Sequence, residues 1–395
     1  MSEGTGMLDK ILESELQAIR AKGLYRQMRK VVSSAGPVVF CDGKQMLNFA
    51  SNNYLSIADD QRLVVAAHRV MDTHGIGASA SRLVVGNTDI HEELEQRLAS
   101  FKNKPAALVF PTGYMANAGC IPAVASGDND LILADRLVHA SLLDACRNSY
   151  GKLRVFPHND TDALEHLLAR YHDKKRRILI VTEGVFSMDG DCAPLDRIAL
   201  LARSYDALLM LDDAHGTGVL GDNGRGAAEM FSVENMVDIH MGTLSKAIGV
   251  MGGFVAGSYL LREYLVNKAR SFIYTTGLPP ALCAASMESL SIIQSEAERR
   301  NRLRATSGLV RNELQRIGFT VPDGITPIIP VIIGDATKVM QVSHALSEYG
   351  MIAPGIRYPT VPEGKERLRI SIQSGHTDAH IDKLLSCMKK IFETL

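Results

Sequence analysis

This sequence of 395 residues has almost no net charge, no closely spaced pair of cysteines and no long hydrophobic run. Its 43 basic and 44 acidic residues give a formal net charge of -1, which predicts no strong attraction to nucleic acid or anionic lipid. The six cysteines are scattered without a CxxC pair, so no zinc site is indicated and a reducing compartment is favoured. No run of about 18 apolar residues is present, and stretch 1–23 lacks the apolar core of a signal peptide. We therefore expect a cytoplasmic protein that binds neither membranes nor nucleic acid and acts on small molecules.

The fold class is indicated by the alternation of apolar runs and helical segments. Hydrophobic residues make up 46% of the chain, enough to fill a sizeable core. Between about 105 and 257, short runs rich in Val, Ile and Leu alternate with segments of helical period, which is typical of a mainly parallel sheet covered on both faces. This α/β interpretation places strands at 106–110, 130–135, 177–185, 207–213, 237–243 and 252–257.

The pattern changes after about residue 281. A long helical stretch is followed by strands at "TPIIPVIIG" and "RLRISI", and by helices near 336–349 and from about 377, which together predict a smaller α+β domain. We expect an N-terminal helical segment over 1–45, a large domain over 46–285 and a small C-terminal domain over 286–395. The amphipathic first 30 residues are expected to pack against the small domain or across a dimer partner.

Polar side chains stand at the ends of several predicted strands. Four of them are Asp135, Glu183, Asp212 and Thr243. Ligands of open α/β sheets bind outside the carboxyl ends of the strands, so we expect these residues to face one crevice.

The stretch "DDAHGTG" (212–218) brings two acids and a histidine to one such strand end. A buried carboxylate costs free energy unless it meets a cation, so Asp212 predicts a positively charged partner, for which a pyridinium nitrogen is a candidate. The alternative is an ordinary strand-to-loop turn, in which an aspartate caps a helix and His215 bonds a carbonyl.

The stretch "MGTLSKAIGVMGG" (241–253) surrounds Lys246 with hydroxyl groups and glycines. A lysine amine forms an imine with an aldehyde, and burial or a nearby cation makes this easier by lowering the pKa of the amine. Pyridoxal 5'-phosphate (PLP) needs such a lysine, an acid at its ring nitrogen and donors for its phosphate. A solvated surface lysine is the alternative.

Two less specific patterns also lie at the ends of predicted strands. In "PTGYMANAG" (111–119), the backbone N–H groups of Gly113 and Tyr114 at a helix start are candidates for binding a phosphate, although any strand–glycine–helix turn has this pattern. In "ADRLVHAS" (134–141), His139 follows a strand, and its ring is suited either to stacking on a planar cofactor or to a purely structural role.

With these residues in place, the sequence resembles the α-oxoamine synthase family of fold-type I PLP enzymes. The likeness runs from "LNFASNNYLS" (47–56) to "RLRIS" (367–371) and includes "TEGVFSMDGD" (182–191), "DDAHGTGVLG" (212–221) and "IYTTGLPP" (273–280). The resemblance implies a homodimer with active sites at the subunit interface. It also implies that an amino acid is joined to an acyl thioester with loss of carbon dioxide.

The resemblance also implies residue roles. Lys246 would carry the cofactor and act as general base, Asp212 would pair with the ring nitrogen, His215 would bond the ring hydroxyl and His139 would stack on the ring. Gly113, Tyr114 and Thr243 would hold the phosphate, together with Thr275 and Thr276 from the other subunit. Ser187 would lie near the ring hydroxyl, and Arg369 would bind the amino-acid carboxylate. Asn52 and Glu183 match further active-site positions of the family.

Within the family, the motifs resemble most the branch that joins L-alanine to a pimeloyl thioester in biotin synthesis. Ser81 in "GIGASASRLVVGN" (75–87) stands where a glycine-using branch generally has threonine, which favours alanine. The alternatives are a ligase of glycine and acetyl-coenzyme A, or a synthase of a longer-chain aminoketone or sphingoid-type product. Tyr358 in "IRYPTVP" (356–362) departs from the alanine-using pattern, so the acyl chain stays open.

A different class of function is a non-catalytic nucleotide-binding module. The chain has neither a G-x-G-x-x-G opening a first βα unit nor a G-x-x-x-x-G-K-[ST] loop, so the sequence favours the enzyme.

Overall fold

The computed structural model describes residues 6–34 and 36–394. Its strands are β1 (Val38–Cys41), β2 (Lys44–Asn48), β3 (Ala106–Phe110), β4 (Asp130–Asp135), β5 (Lys152–Phe156), β6 (Arg177–Glu183), β7 (Leu208–Asp212), β8 (Ile239–Thr243), β9 (Gly253–Gly257), β10 (Ile328–Ile332), β11 (Met351–Ile352), β12 (Gly355–Ile356) and β13 (Arg367–Ser371). Its α-helices are α1 (Met7–Ala21), α2 (Gln61–His74), α3 (Asp89–Phe101), α4 (Gly113–Val124), α5 (Ala140–Arg147), α6 (Thr161–Tyr171), α7 (Leu195–Ser204), α8 (Ala227–Met230), α9 (Tyr259–Lys268), α10 (Arg270–Ile273), α11 (Pro280–Ser295), α12 (Ala297–Ile317), α13 (Ala336–Glu348) and α14 (Asp378–Phe392).

The core of the large domain is a seven-stranded sheet in the order β3-β9-β8-β7-β6-β4-β5. Strands β4 to β8 pair in parallel, and β9 runs antiparallel to both of its neighbours, β3 and β8. Every residue of β3 and β4 is buried, as expected for strands covered on both faces by helices. The α/β prediction is therefore confirmed.

All six predicted strands of this sheet are present, with ends that differ by up to two residues. Strand β5 has no counterpart in the prediction. It lies at the sheet edge and carries Lys152 and Arg154, so four of its five residues are partly or fully exposed. An edge strand of this kind lacks the continuous apolar run by which the inner strands were recognised.

The C-terminal part of the chain forms a second, antiparallel sheet in the order β10-β13-β12. The long helical stretch before it is divided at Glu296 into α11 and α12. Glu296 forms ion pairs with Arg62 at 2.6 Å and with Arg299 at 2.6 Å, so the break between the helices is tied to the start of α2.

The N-terminal region is joined to the C-terminal region by a third small sheet. Strand β2 pairs antiparallel with β1 and parallel with β11, with Leu47 opposite Met351. Helix α1, in contrast, buries none of its residues. None of the helices in the described ranges is long and apolar enough to cross a membrane.

Candidate active site

A cavity of about 160 Å³ opens at the carboxyl ends of the parallel strands. Eight of the residues singled out from the sequence line it, namely Gly113, Tyr114, His139, Glu183, Asp212, His215, Thr243 and Lys246. Four further lining residues were not predicted, namely Asn117, Ser141, Ala214 and Met241. The fold thus brings together residues that lie up to 133 positions apart in sequence, between Gly113 and Lys246.

Asp212, the last residue of β7, is buried with 5% exposure. Its Oδ1 accepts a hydrogen bond from the Ala214 backbone N–H at 3.0 Å, and its Oδ2 accepts one from Asn117 Nδ2 at 2.9 Å. Both donors are neutral, and within the described ranges Asp212 forms no ion pair. A buried carboxylate held by neutral donors alone is suited to a cationic group that enters the cavity.

Its neighbour Asp213 points away from the cavity into the protein. Lys102 Nζ lies 3.0 Å from Asp213 Oδ2, and this ion pair is fully buried. The Ala227 backbone N–H donates to the same carboxylate. A Cβ at Gly216 or Gly226 would lie 2.1 Å or 1.6 Å from the Asp213 oxygens, so glycine is required at both positions. The two adjacent acids therefore have separate tasks, one facing the cavity and one anchoring the loop that follows.

Asp213→Asn is expected to lower the free energy of unfolding by about 3–5 kcal/mol, because it leaves the buried Lys102 ammonium without a counter-ion. Urea denaturation followed by circular dichroism measures this. The matched control is Asp128→Asn at an exposed loop position. A loss for Asp213→Asn no larger than that of the control would contradict the anchoring task.

Lys246 follows β8 and lines the cavity. Burial lowers the pKa of its amine to about 8, although the negative charges of Asp212 and Glu183 act in the opposite direction. A large fraction of the amine is therefore neutral near pH 8, which is the form that attacks a carbonyl carbon or accepts a proton.

The N-terminus of α4 supplies backbone N–H groups to the same cavity. Thr112 caps the helix, and its side chain accepts from the Met115 N–H at 3.1 Å. A Cβ at Gly113 would lie 3.0 Å from Met241 Cε and 3.4 Å from Thr243 Oγ1, so the missing side chain leaves this end of the helix open. An open helix N-terminus beside a threonine hydroxyl is suited to an anion such as a phosphate.

His139 caps α5 and is fixed by several hydrogen bonds. Its Nδ1 accepts from the Ser141 backbone N–H at 3.2 Å, and the backbone N–H of His139 donates to Glu183 Oε1. Asn117 Nδ2 donates both to Ser141 Oγ at 3.0 Å and to Asp212, which connects the histidine to the acid. Burial lowers the pKa of His139 and raises that of Glu183 well above its usual range.

A second group of predicted residues lies beside the cavity around Arg369. Its Nε donates to the Ser187 carbonyl at 2.6 Å, and its Nη2 donates to Asn52 Oδ1 at 3.2 Å. Tyr54, which was not predicted, links this group to the cavity, because its hydroxyl lies 3.1 Å from Asn52 Oδ1 and 2.7 Å from His215 Nδ1. Burial lowers the pKa of His215 well below its usual value, and the charges of Lys246 and Arg369 act in the same direction.

The third group is formed by Ser81, Thr275 and Thr276. Ser81 and Thr276 form an isolated antiparallel bridge, and the Gly277 N–H donates to the Ala80 carbonyl at 3.0 Å. These three residues do not line the cavity of their own chain. The structure thus brings Ser81 next to the threonines that the resemblance attributes to the other subunit.

Residues 44–387 match the family model "Aminotransferase class I and II". The chain belongs to the aminotransferase class I and II family. It is 46% identical to the 8-amino-7-oxononanoate synthase of Geobacter sulfurreducens over 97% of this chain and 98% of that protein. It is 45% identical to the enzyme of the same name from Fervidobacterium nodosum, over 97% of each chain.

Among solved structures, this aminotransferase-family chain is similar to serine palmitoyltransferase from S. paucimobilis with a bound PLP–myriocin aldimine. The TM-score is 0.92 at 30% identity, covering 98% of this chain and 99% of that chain. The predicted membership of the α-oxoamine synthases, the fold-type I architecture and the status of an enzyme are confirmed by these matches.

Proposed function

We propose that this chain is a PLP-dependent acyltransferase that condenses L-alanine with a pimeloyl thioester. The products are 8-amino-7-oxononanoate, carbon dioxide and a free thiol, a step of biotin synthesis. The proposal rests on one observation: Asp212, which is buried and forms no ion pair with any of the residues the structure describes, lines the same cavity at the strand ends as Lys246. Near-complete alignment with enzymes named 8-amino-7-oxononanoate synthase supports the choice of substrates.

The residues around the cavity fit PLP in charge and chemistry. The Lys246 amine would hold the cofactor covalently, the Asp212 carboxylate would pair with the ring nitrogen, and the open end of α4 with Thr243 would hold the phosphate. Asn117 would keep Asp212 turned towards the ring. Bound there, PLP supplies a ring that withdraws electrons from the amino acid's Cα.

The chain's own side chains would then handle protons and orientation. Lys246 takes the proton from Cα, a task for which an amine with a pKa near 8 is matched to a working pH near neutrality. Asp212, through its negative charge, keeps the ring nitrogen protonated. Arg369 and Asn52 would bind the amino-acid carboxylate, which holds Cα at the Lys246 amine until carbon dioxide is lost.

Covalent attachment of PLP to the protein is expected to speed up as pH rises towards 8 and to level off above it. Only the neutral amine attacks the aldehyde, so the rate gains about tenfold per pH unit below the pKa of Lys246. Stopped-flow absorbance of cofactor-free protein mixed with PLP measures the profile. A midpoint near 10.5, the ordinary pKa of lysine, would contradict the burial effect.

We also propose that the active unit is a homodimer in the cytoplasm. Ser81, Thr275 and Thr276 would then complete the partner's cavity. Three aliphatic side chains that lie within five positions of Ser81 in the sequence are strongly exposed in the single chain, namely Ile76 (80%), Val84 (74%) and Val85 (75%). An apolar patch of this kind favours a protein partner. A cytoplasmic location is supported by the six cysteines, all of them free.

The choice of amino acid is tested by α-proton exchange. Holoprotein in D₂O is incubated with L-alanine, glycine or L-serine, and loss of the Cα proton signal is followed by NMR with and without a pimeloyl thioester. We expect exchange with L-alanine, since Ser81 stands at the position that separates the alanine-using from the glycine-using pattern. Exchange with glycine alone would overturn the proposal.

A further inference from the structure

We propose that Tyr54 is a positioning residue that holds His215 in the tautomer with its proton on Nε2. Tyr54 lies between β2 and α2, is completely buried, and its hydroxyl contacts His215 Nδ1 at 2.7 Å. Within the described residues this is the one hydrogen bond of the His215 ring. The inference rests on the proposed function for its catalytic consequence, but not for the tautomer itself.

The direction of this hydrogen bond decides the tautomer. The phenol has one hydrogen and two acceptors in reach, namely His215 Nδ1 at 2.7 Å and Asn52 Oδ1 at 3.1 Å. If Tyr54 donates to His215, the imidazole proton is on Nε2. If Tyr54 donates to Asn52, then His215 must donate from Nδ1, and Nε2 carries a lone pair.

Two observations favour donation from Tyr54 to His215. The contact to the histidine is the shorter of the two. Asn52 Oδ1 already accepts from the Arg369 guanidinium at 3.2 Å. Burial raises the pKa of the Tyr54 phenol, although the Arg369 charge acts in the opposite direction, so the phenol keeps the hydrogen that it donates.

The neutral form of the ring is favoured by its surroundings. Burial lowers the pKa of His215 well below its usual value, and the charges of Lys246, Arg369 and His139 act in the same direction. A neutral imidazole has one donor and one acceptor, so Tyr54 determines which of them faces the cavity. An Nε2–H donor suits an anionic oxygen, whereas a bare Nε2 would repel it.

The arrangement also connects two parts of the proposed site. Arg369, Asn52, Tyr54 and His215 form a continuous line of polar contacts from the proposed carboxylate position to the cavity. Tyr54 itself does not line the cavity. Its task is therefore indirect, through the orientation and tautomer of His215.

The tautomer is measured by long-range ¹H–¹⁵N correlation of full-length, PLP-loaded protein with ¹⁵N-labelled histidine. The His215 signals are assigned by their loss in His215→Gln. We expect the wild type to carry the proton on Nε2, and Tyr54→Phe to lose this preference. The control is Tyr264→Phe, which removes a half-buried hydroxyl bonded to the Ala123 carbonyl at 3.2 Å and should leave the signals unchanged.

A wild-type His215 protonated on Nδ1 would overturn the inference, and so would a Tyr54→Phe variant with an unchanged tautomer. The wild-type measurement decides the question even if Tyr54→Phe fails to fold. In turnover, Tyr54→Phe is expected to lower kcat about tenfold, with the KM for the amino acid within about twofold of wild type, as for a donor that acts mainly in the transition state. An Nε2–H wild type without turnover of L-alanine would contradict the proposed function and leave the tautomer assignment intact.

Discussion

Lys246→Ala is expected to abolish covalent attachment of PLP and to lower turnover by about 10⁴-fold, because one side chain serves as both attachment point and general base. The visible absorbance of the bound cofactor and the rate of thiol release report the two losses. The fold should be retained, since Lys246 forms no ion pair within the described residues and its truncation enlarges an existing cavity.

A matched control is Lys268→Ala, which removes an exposed lysine near the end of α9. It should keep both cofactor attachment and turnover. Retained turnover in Lys246→Ala, at more than about a hundredth of the wild-type rate, would exceed what a lost general base permits and would reject the role assigned to Lys246.

Asp212→Asn is expected to lower kcat by about 10³-fold and to weaken PLP binding, because an amide cannot stabilise a protonated ring nitrogen by its charge. Stability should change little. Asn117 Oδ1 is buried without a partner, so a flip of the Asn117 amide would provide an acceptor for the new NH₂ group. Turnover measured with saturating PLP, together with urea denaturation, separates the two effects.

Asp213→Asn is the most informative comparison. The same substitution one residue further along should lower the free energy of unfolding, whereas Asp212→Asn should lower kcat and leave stability nearly unchanged. Asp213 is paired with Lys102 outside the cavity, so its loss affects stability first. If Asp212→Asn destabilised the fold as much as Asp213→Asn, the assignment of one acid to the cavity and the other to the loop would be wrong.

The sheet could be predicted because its inner strands are short apolar runs that end in polar residues. The rule that strand ends meet at one edge then grouped Glu183, Asp212 and Thr243 correctly around one cavity. The same rule placed Asp135 at the crevice, but Asp135 instead pairs with His158 at 3.0 Å and accepts a hydrogen bond from the Asn159 backbone N–H at 2.8 Å. A strand-end position alone does not tell which side chains turn into the cavity.

The polar network behind the cavity could not be predicted from a single sequence. Tyr54 meets His215 across 161 positions, and no local pattern marks that contact. Asn117 gave a weak signal, since it lies one helical turn after Gly113 and therefore on the same face of α4. The different roles of Asp212 and Asp213 also could not be predicted, because they depend on the ion pair between Asp213 and Lys102, which directly follows α3.

The most direct measurement is identification of the product by mass spectrometry after PLP-loaded protein is mixed with pimeloyl-coenzyme A and an equimolar mixture of L-alanine, glycine and L-serine. We expect 8-amino-7-oxononanoate, released together with carbon dioxide and free thiol, and we expect no such product when Lys246→Ala replaces the wild type. A condensation product containing glycine or serine, or none from the pimeloyl thioester while a shorter or longer acyl thioester reacts, would contradict this expectation.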